Sequence, residues 1–320
     1  MSENNNMKIE EQLENNAVNN EESVVINDSE VMAIKDLKKI TNASRTMKIL
    51  VKIGVYAFLT LMAIIIIFPF YWMIISSLKS LPEYQRPIPT FFPEKVIWYN
   101  YVEAFQTAKL RTLFLNTLYV GVVSTILSLI ITVLSAFAFA RLEFKGKDIL
   151  FAGLLATMMI PGELFTITNY GTVVQFGWYR SFTALIIPFL VSIFYIYLLR
   201  QNFMQIPNEL YLAAKVDGTS DLKYLWKVMI PLALPQLISI TILKMMGAWN
   251  SYVWPRLVAN DEAHQLITNG LRNAFKDATD TVNYPLQMAA VAIVSAPLFL
   301  VFVFLRKYII KGVSRGGIKG

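Results

Sequence analysis

Cysteine is absent from this 320-residue sequence, and histidine occurs once, at position 264. The first absence excludes disulfides, thiolate nucleophiles and iron–sulfur ligation. The two together leave no ordinary zinc site. A Ser-His-Asp triad would need His264, which stands among Asp261, Glu262 and Gln265 and reads as a solvated loop residue. A phosphate-binding loop is missing too. Its nearest fragment, Gly146-Lys147-Asp148, lacks the upstream glycine and the following Ser or Thr. Charge is scarce, at 16% of residues, where soluble domains carry about 25%. A soluble enzyme, a disordered protein and a coiled coil are all poor fits to that composition.

What is present is apolar. Hydrophobic residues make up 55% of the chain, and the mean hydropathy is +0.49. The charge deficit is concentrated in six stretches. Ile53–Leu78, Thr112–Ala140, Ser181–Leu199 and Thr281–Leu305 hold no charge at all. Between Asp148 and Arg180 the only charge is Glu163, and from Val228 to Pro255 it is Lys244. A helix needs about 20 mostly apolar residues to cross a bilayer. In lipid the backbone must satisfy its own hydrogen bonds, so long unbroken runs read as helices. The runs lack the two-residue alternation of barrel strands. The expectation is an all-α membrane protein with six spans, at about 53–77, 113–140, 149–170, 181–200, 232–255 and 285–305.

The formal charge of +7 then reads as cytoplasmic loops rather than a nucleic-acid surface. With the N-terminus inside, the inner segments hold nineteen Lys and Arg and the outer segments nine. The last segment, with Arg306, Lys307, Lys311, Arg315 and Lys319, has no acid. Both termini are expected in the cytoplasm, with 311–320 a short tail. Residues 1–47 are expected to be a disordered cytoplasmic tail, since Met1–Glu30 is rich in Asn and Glu and has no aromatic residue. No cleaved leader is expected, because the first apolar run starts late and is too long for one.

The segment from Arg200 to Met229 is the most informative connection. It reads as a helix, a turn and a second helix. Asn208 is placed to cap the first helix, with Glu209 in its first turn. Gly218 is placed to stop it in a left-handed turn. Thr219 or Ser220 can cap the next helix, along which Leu222, Leu225, Trp226 and Met229 form an apolar stripe. Glu209, Ala213 and Val216 or Asp217 share one side of the first helix. Ala213 and Ala214 make a low surface that another protein can approach. On spacing alone, a membrane-surface helix without a partner fits equally well.

Ala213-Ala214-x-x-Asp217-Gly218, followed by Ile230-Pro231 and Leu234-Pro235, resembles the cytoplasmic loop of ABC importer permeases. Asn116-Thr117, Ala136–Lys147, Ile160-Pro161-Gly162-Glu163, Trp249-Asn250 and Arg315–Gly320 are similar to the carbohydrate-uptake branch, the maltose-permease-G-like subunits. The likeness covers roughly Lys48–Gly320. It implies a type I importer permease fold in which Glu209, Ala213, Ala214, Asp217 and Gly218 form a coupling helix docked on a separate ATPase. The family has a glutamate where this chain has Leu212, so Glu209, about one turn earlier, is the candidate for the acidic contact.

The resemblance also implies the partners. These are a second permease chain in a heterodimer, two cytoplasmic ATPase subunits that use ATP and magnesium, an extracytoplasmic solute-binding protein and a sugar. No cofactor of this chain's own is expected, and no bond chemistry. Charges within spans usually face a cavity. Glu163 and Lys244 are therefore path candidates, with Trp249 and Asn250 nearby and Trp254 a further possibility. Each has a plain alternative as a packing or interfacial residue. A self-sufficient secondary transporter or channel is the competing function. It has only Glu163 in its favour, since the chain shows no inverted repeat.

Overall fold

The computed structural model describes residues 28–271, 274–275 and 282–314. Residues 1–27 and the Arg315–Gly320 pattern lie outside them. Two units are delimited, one ending at Pro69 and one beginning at Phe70.

The first unit is helical. Its helix α1 (Asp28–Ser77) runs on into the second. Residues 28–47 are thus helix where an unstructured tail was expected. Asp28, Ser29 and Glu30 bring the residue types a helix start favours, and Met32, Ala33, Leu37, Lys38 and Lys39 are good helix formers. The Asn- and Glu-rich composition belongs to the residues before them.

The second unit contains the remaining helices: α2 (Leu81–Tyr84), α3 (Tyr99–Thr107), α4 (Leu110–Arg141), α5 (Lys147–Thr157), α6 (Thr166–Gln175), α7 (Phe182–Ile186), α8 (Ile193–Met204), α9 (Asn208–Val216), α10 (Asp221–Tyr224), α11 (Ile230–Leu232), α12 (Leu234–Trp249), α13 (Val253–Val258), α14 (Ile267–Gly270) and α15 (Tyr284–Ser314). Gly162–Phe165 and Ile187–Phe189 are 3-10 turns, and Leu225–Met229 is a π-turn.

Among the described residues three helices are long and apolar enough to cross a membrane alone: Ile49–Ser77 of α1, α4, and Tyr284–Arg306 of α15. Three bent pairs raise the count to six if each is one span. These are Lys147–Thr157 with Gly162–Gln175, bent 85°, Phe182–Phe189 with Ile193–Met204, bent 46°, and Asp221–Leu232 with Leu234–Trp249, bent 81°. Pro161-Gly162 sits in the first break, Pro188 just before the second, and Pro231 and Pro235 flank the third. Proline removes an N–H and clashes with the preceding turn, so a helix kinks or stops there. The fifth span therefore starts earlier than the expected 232 and ends at Trp249. Residues 253–258, expected in its last turns, form the separate α13. α15 continues through 311–314, where the tail was expected to begin.

α4 is an unbroken helix of 32 residues. It packs along α8 and α12, and α12 in turn packs along α15. Its buried face is a polar stripe of Thr117, Ser124, Thr125, Ser128 and Thr132 among apolar neighbours. Three apolar clusters hold the helices together. One joins Leu110 and Leu113 to Trp249, Ile267 and Ala290. One joins the end of α4 to Leu199, Phe203, Tyr224, Leu225 and Met229. The third joins Val120 to Ala184, Trp254 and Leu266.

Candidate functional site

Two regions hold the residues singled out from the sequence. The first is the elbow made by α9 and the turn after it. Pro207 occupies the N-cap position and Asn208 is already the first helical residue, so Asn208 does not cap the helix as expected. The other end is as read from the sequence. Gly218 has φ +70°. Its N–H bonds to the Lys215 carbonyl at 3.0 Å, and the Thr219 N–H reaches back to Ala214 at 2.8 Å. This paired pattern closes a helix with a left-handed residue just past its end.

Ser220 takes the next N-cap position without a side-chain cap bond. Asp221 ties the elbow shut instead. One carboxylate oxygen accepts from the Tyr211 hydroxyl at 2.7 Å and meets the Lys215 ammonium at 2.6 Å. The Asp221 carboxylate holds Lys215 above the ordinary lysine value. Tyr211 also packs its ring against the buried Tyr224, with centroids 5.2 Å apart.

The two alanines, alike in sequence, face opposite ways. Ala214 packs against the inner apolar cluster, and Ala213 is exposed. Glu209, Leu212, Ala213 and Val216 are all exposed at three- and four-residue spacing, so they share the outer face. Val216 is 88% exposed. Asp217 and Gly218 are exposed beside them. The expected stripe beyond the turn is divided. Leu225 and Met229 are buried, while Leu222 and Trp226 are exposed. The π-turn at Leu225–Met229 changes the register that a 3.6-residue repeat assumes.

One arginine holds the approach to the elbow to α4, and a second ties α8 to α4 and α5. Arg141, buried at the end of α4, donates from Nη2 to the carbonyls of Phe203 and Ile206, just before Pro207. Arg200 on α8 donates from Nε to the Phe139 carbonyl at 3.0 Å and lies over the Phe151 ring at 4.1 Å. Sequence reading counted both as cytoplasmic charges. A buried arginine at the end of an apolar run has no local signal that separates it from an exposed one.

The second region is a half-open cavity of about 840 Å³ lined by α4, the broken third and fourth spans, and α12–α13. Glu163 and Lys244 both line it, so two charges that the sequence leaves 81 residues apart face one cavity. The Lys244 ammonium donates to the Phe189 carbonyl at 2.6 Å. That carbonyl ends the 3-10 turn at the fourth-span break. Trp254 also lines the cavity, with its indole N–H bonded to Ala184 at 2.9 Å. Trp249 packs elsewhere. It is 9% exposed, in the cluster with Leu110 and Leu113, with its ring 5.7 Å from that of Phe114. Asn250 is exposed at the end of α12 and donates to the Met246 carbonyl. Tyr195 and Ser251, which the sequence did not single out, face the cavity. Hydroxyl residues inside apolar runs are too common to mark a site.

Among the described residues, helices with apolar spans, three of them broken, a cavity with two charged side chains in a mostly apolar lining, and an elbow with an exposed outer face define a multi-pass membrane protein of the permease class. The chain belongs to the family described as binding-protein-dependent transport system inner membrane component, whose profile matches residues 44–315. It is 29% identical over 261 residues to the arabinooligosaccharides transport system permease protein AraQ of Halalkalibacterium halodurans, covering 81% of this chain and 93% of that one. It is 30% identical over 258 residues to the sn-glycerol-3-phosphate transport system permease protein UgpE of Rhizobium meliloti, covering 78% and 91%. A crystal structure of a bacterial ABC transporter involved in the import of the acidic polysaccharide alginate contains a chain of the same fold. The TM-score is 0.73 at 23% identity, covering 80% of this chain and 95% of that one. The chain is thus a membrane component of a binding-protein-dependent importer and not an enzyme.

Proposed function

We propose that this chain is the transmembrane permease subunit of an ATP-driven carbohydrate importer. It pairs with a second permease chain in a heterodimer. It takes sugar from an extracytoplasmic solute-binding protein and is driven by two ATPase subunits that use ATP and magnesium. Both of its termini lie in the cytoplasm. The observation that carries this reading is the elbow. α9 is clamped on its inner side by Tyr211, Lys215 and Asp221. Its outer side offers Leu212, Ala213 and Val216 to water. An exposed apolar face on a rigid support is a docking surface in want of a partner. Glu209 stands at the edge of that face and is the acidic contact that Leu212 cannot supply. The chain has no phosphate-binding loop, so the force that moves the elbow comes from another subunit. Glu163 and Lys244 line the path.

Mechanically, closure of the ATPase pair displaces α9, Arg141 carries the displacement through Ile206 into α4, and Arg200 couples α4 to α8. The test is copurification and uptake. Wild-type protein brings its ATPase subunits through solubilisation, and a variant with 208–218 replaced by a Gly-Ser linker inserts in the membrane but loses both them and sugar uptake. Normal uptake by that variant, or uptake by the chain alone in liposomes, would replace this reading with that of a secondary transporter.

A further inference from the structure

The cavity wall presents one carboxylate and one ammonium, and they come from different spans. Glu163 belongs to the 3-10 turn that breaks the third span, and Lys244 to α12. Among the described residues neither takes part in an ion pair. An ammonium has three donors. Lys244 uses one on Phe189, which leaves two for a ligand. Glu163 is exposed and, among the described residues, receives no donor, so its oxygens are open acceptors. The remaining polar lining carries the hydroxyls of Ser124, Thr166, Ser192, Tyr195, Ser251 and Tyr252, with Trp254 also in the lining. The volume lies within the range of about 300–1,000 Å³ of small-molecule sites.

A hydroxyl both donates and accepts, so the several hydroxyls of one oligosaccharide can satisfy Lys244 and Glu163 at different points of the same cavity. A carboxylate or phosphate ligand would satisfy Lys244 and meet Glu163 as a like charge. A cationic ligand would do the reverse. Relatives are named for neutral and for anionic cargoes alike, so their names do not decide between them. The geometry points to an uncharged, polyhydroxylated ligand: this cavity takes a neutral oligosaccharide and discriminates against sugars that carry uronate or phosphate groups. The inference rests on the reading of the chain as a carbohydrate permease and adds the charge of the cargo.

The test uses the permease–ATPase complex without the solute-binding protein. Maltotriose and arabinotriose are the neutral probes, trigalacturonate and glycerol 3-phosphate the anionic ones. Binding is read as the tryptophan fluorescence change that Trp254→Phe removes. At least one neutral probe should bind saturably, and the anionic probes at least about tenfold more weakly, since like-charge juxtaposition is costly. Glu163→Gln should narrow that gap by improving the anionic probes. Lys244→Gln should weaken the neutral ones. Anionic probes binding as well as neutral ones, a gap unchanged in Glu163→Gln, or no binding by any probe would each overturn the inference. The permease reading has its own readout, retention of the ATPase through the elbow, and stands or falls separately.

Discussion

At Gly218 the backbone angle, not the surrounding space, dictates the residue. A Cβ there would meet nothing within 4 Å, yet φ is +70°. A side chain in that left-handed region costs about 1–2 kcal/mol. Gly218→Ala should insert normally and lower uptake several-fold. Gly218→Asn, which tolerates the left-handed region better, should retain more, with uptake measured per inserted molecule. Gly270 is the opposite case. Its φ is unremarkable, but a Cβ there would come within 2.5 Å of Leu113 Cδ2 and 2.8 Å of Cδ1. Leu113 is buried in a packed cluster and has little room to turn. Gly270→Ala should destabilise by about 1–3 kcal/mol, the usual range for overpacking. In the Leu113→Ala background the added methyl should cost much less. Thermal unfolding of the solubilised protein checks both variants. Gly218 was legible in the sequence because a turn between two helical patterns asks for glycine. Gly270 was not, because its constraint comes from a residue 157 positions away.

Between elements, the Arg141 bonds link the approach to the elbow with α4, and the Arg200 bond links α8 with α4. Truncating Arg141 strands the Ile206 carbonyl, at a cost of about 1–3 kcal/mol for a buried group, while the Phe203 carbonyl keeps the Ile206 N–H at 3.2 Å. Arg141→Gln should leave ATP hydrolysis by the complex intact and reduce sugar moved per ATP. Arg141→Lys, which keeps one charged donor, should recover part of that ratio. A loss of protein from the membrane without a change in the ratio would assign Arg141 to folding alone. The spans themselves were plain in the sequence, since run length and charge spacing are all that lipid demands. Their bends were only half legible. Pro161, Pro231 and Pro235 announce an interruption but not 85° or 81°. Trp249 and Trp254 show the same ambiguity. Both are tryptophans near the end of one apolar run, and only the packing of α12 and α13 sends one into a core and the other to the cavity wall.

For the whole molecule, the lack of cysteine makes topology directly measurable, because any introduced thiol is unique. Asp217→Cys should react with a membrane-impermeant maleimide only from the cytoplasmic side, and Glu262→Cys only from the outside. Labelling of both from the same side would break the arrangement of spans proposed here. Glu262 is a fair reporter because it is exposed in a held loop. It pairs with Lys109 at 2.6 Å, and Asn116 bonds the neighbouring carbonyls of Ala263 and Gln265.

The divided third span has a further consequence, for biogenesis. Its halves, Lys147–Thr157 and Gly162–Gln175, meet at 85°, and at about 1.5 Å per residue neither is long enough to traverse a bilayer some 30 Å deep. Such stubs cannot partition into lipid one at a time. They need the unbroken Leu110–Arg141 helix and the later segments as a protein wall, so the order of release into the membrane need not follow the order of synthesis.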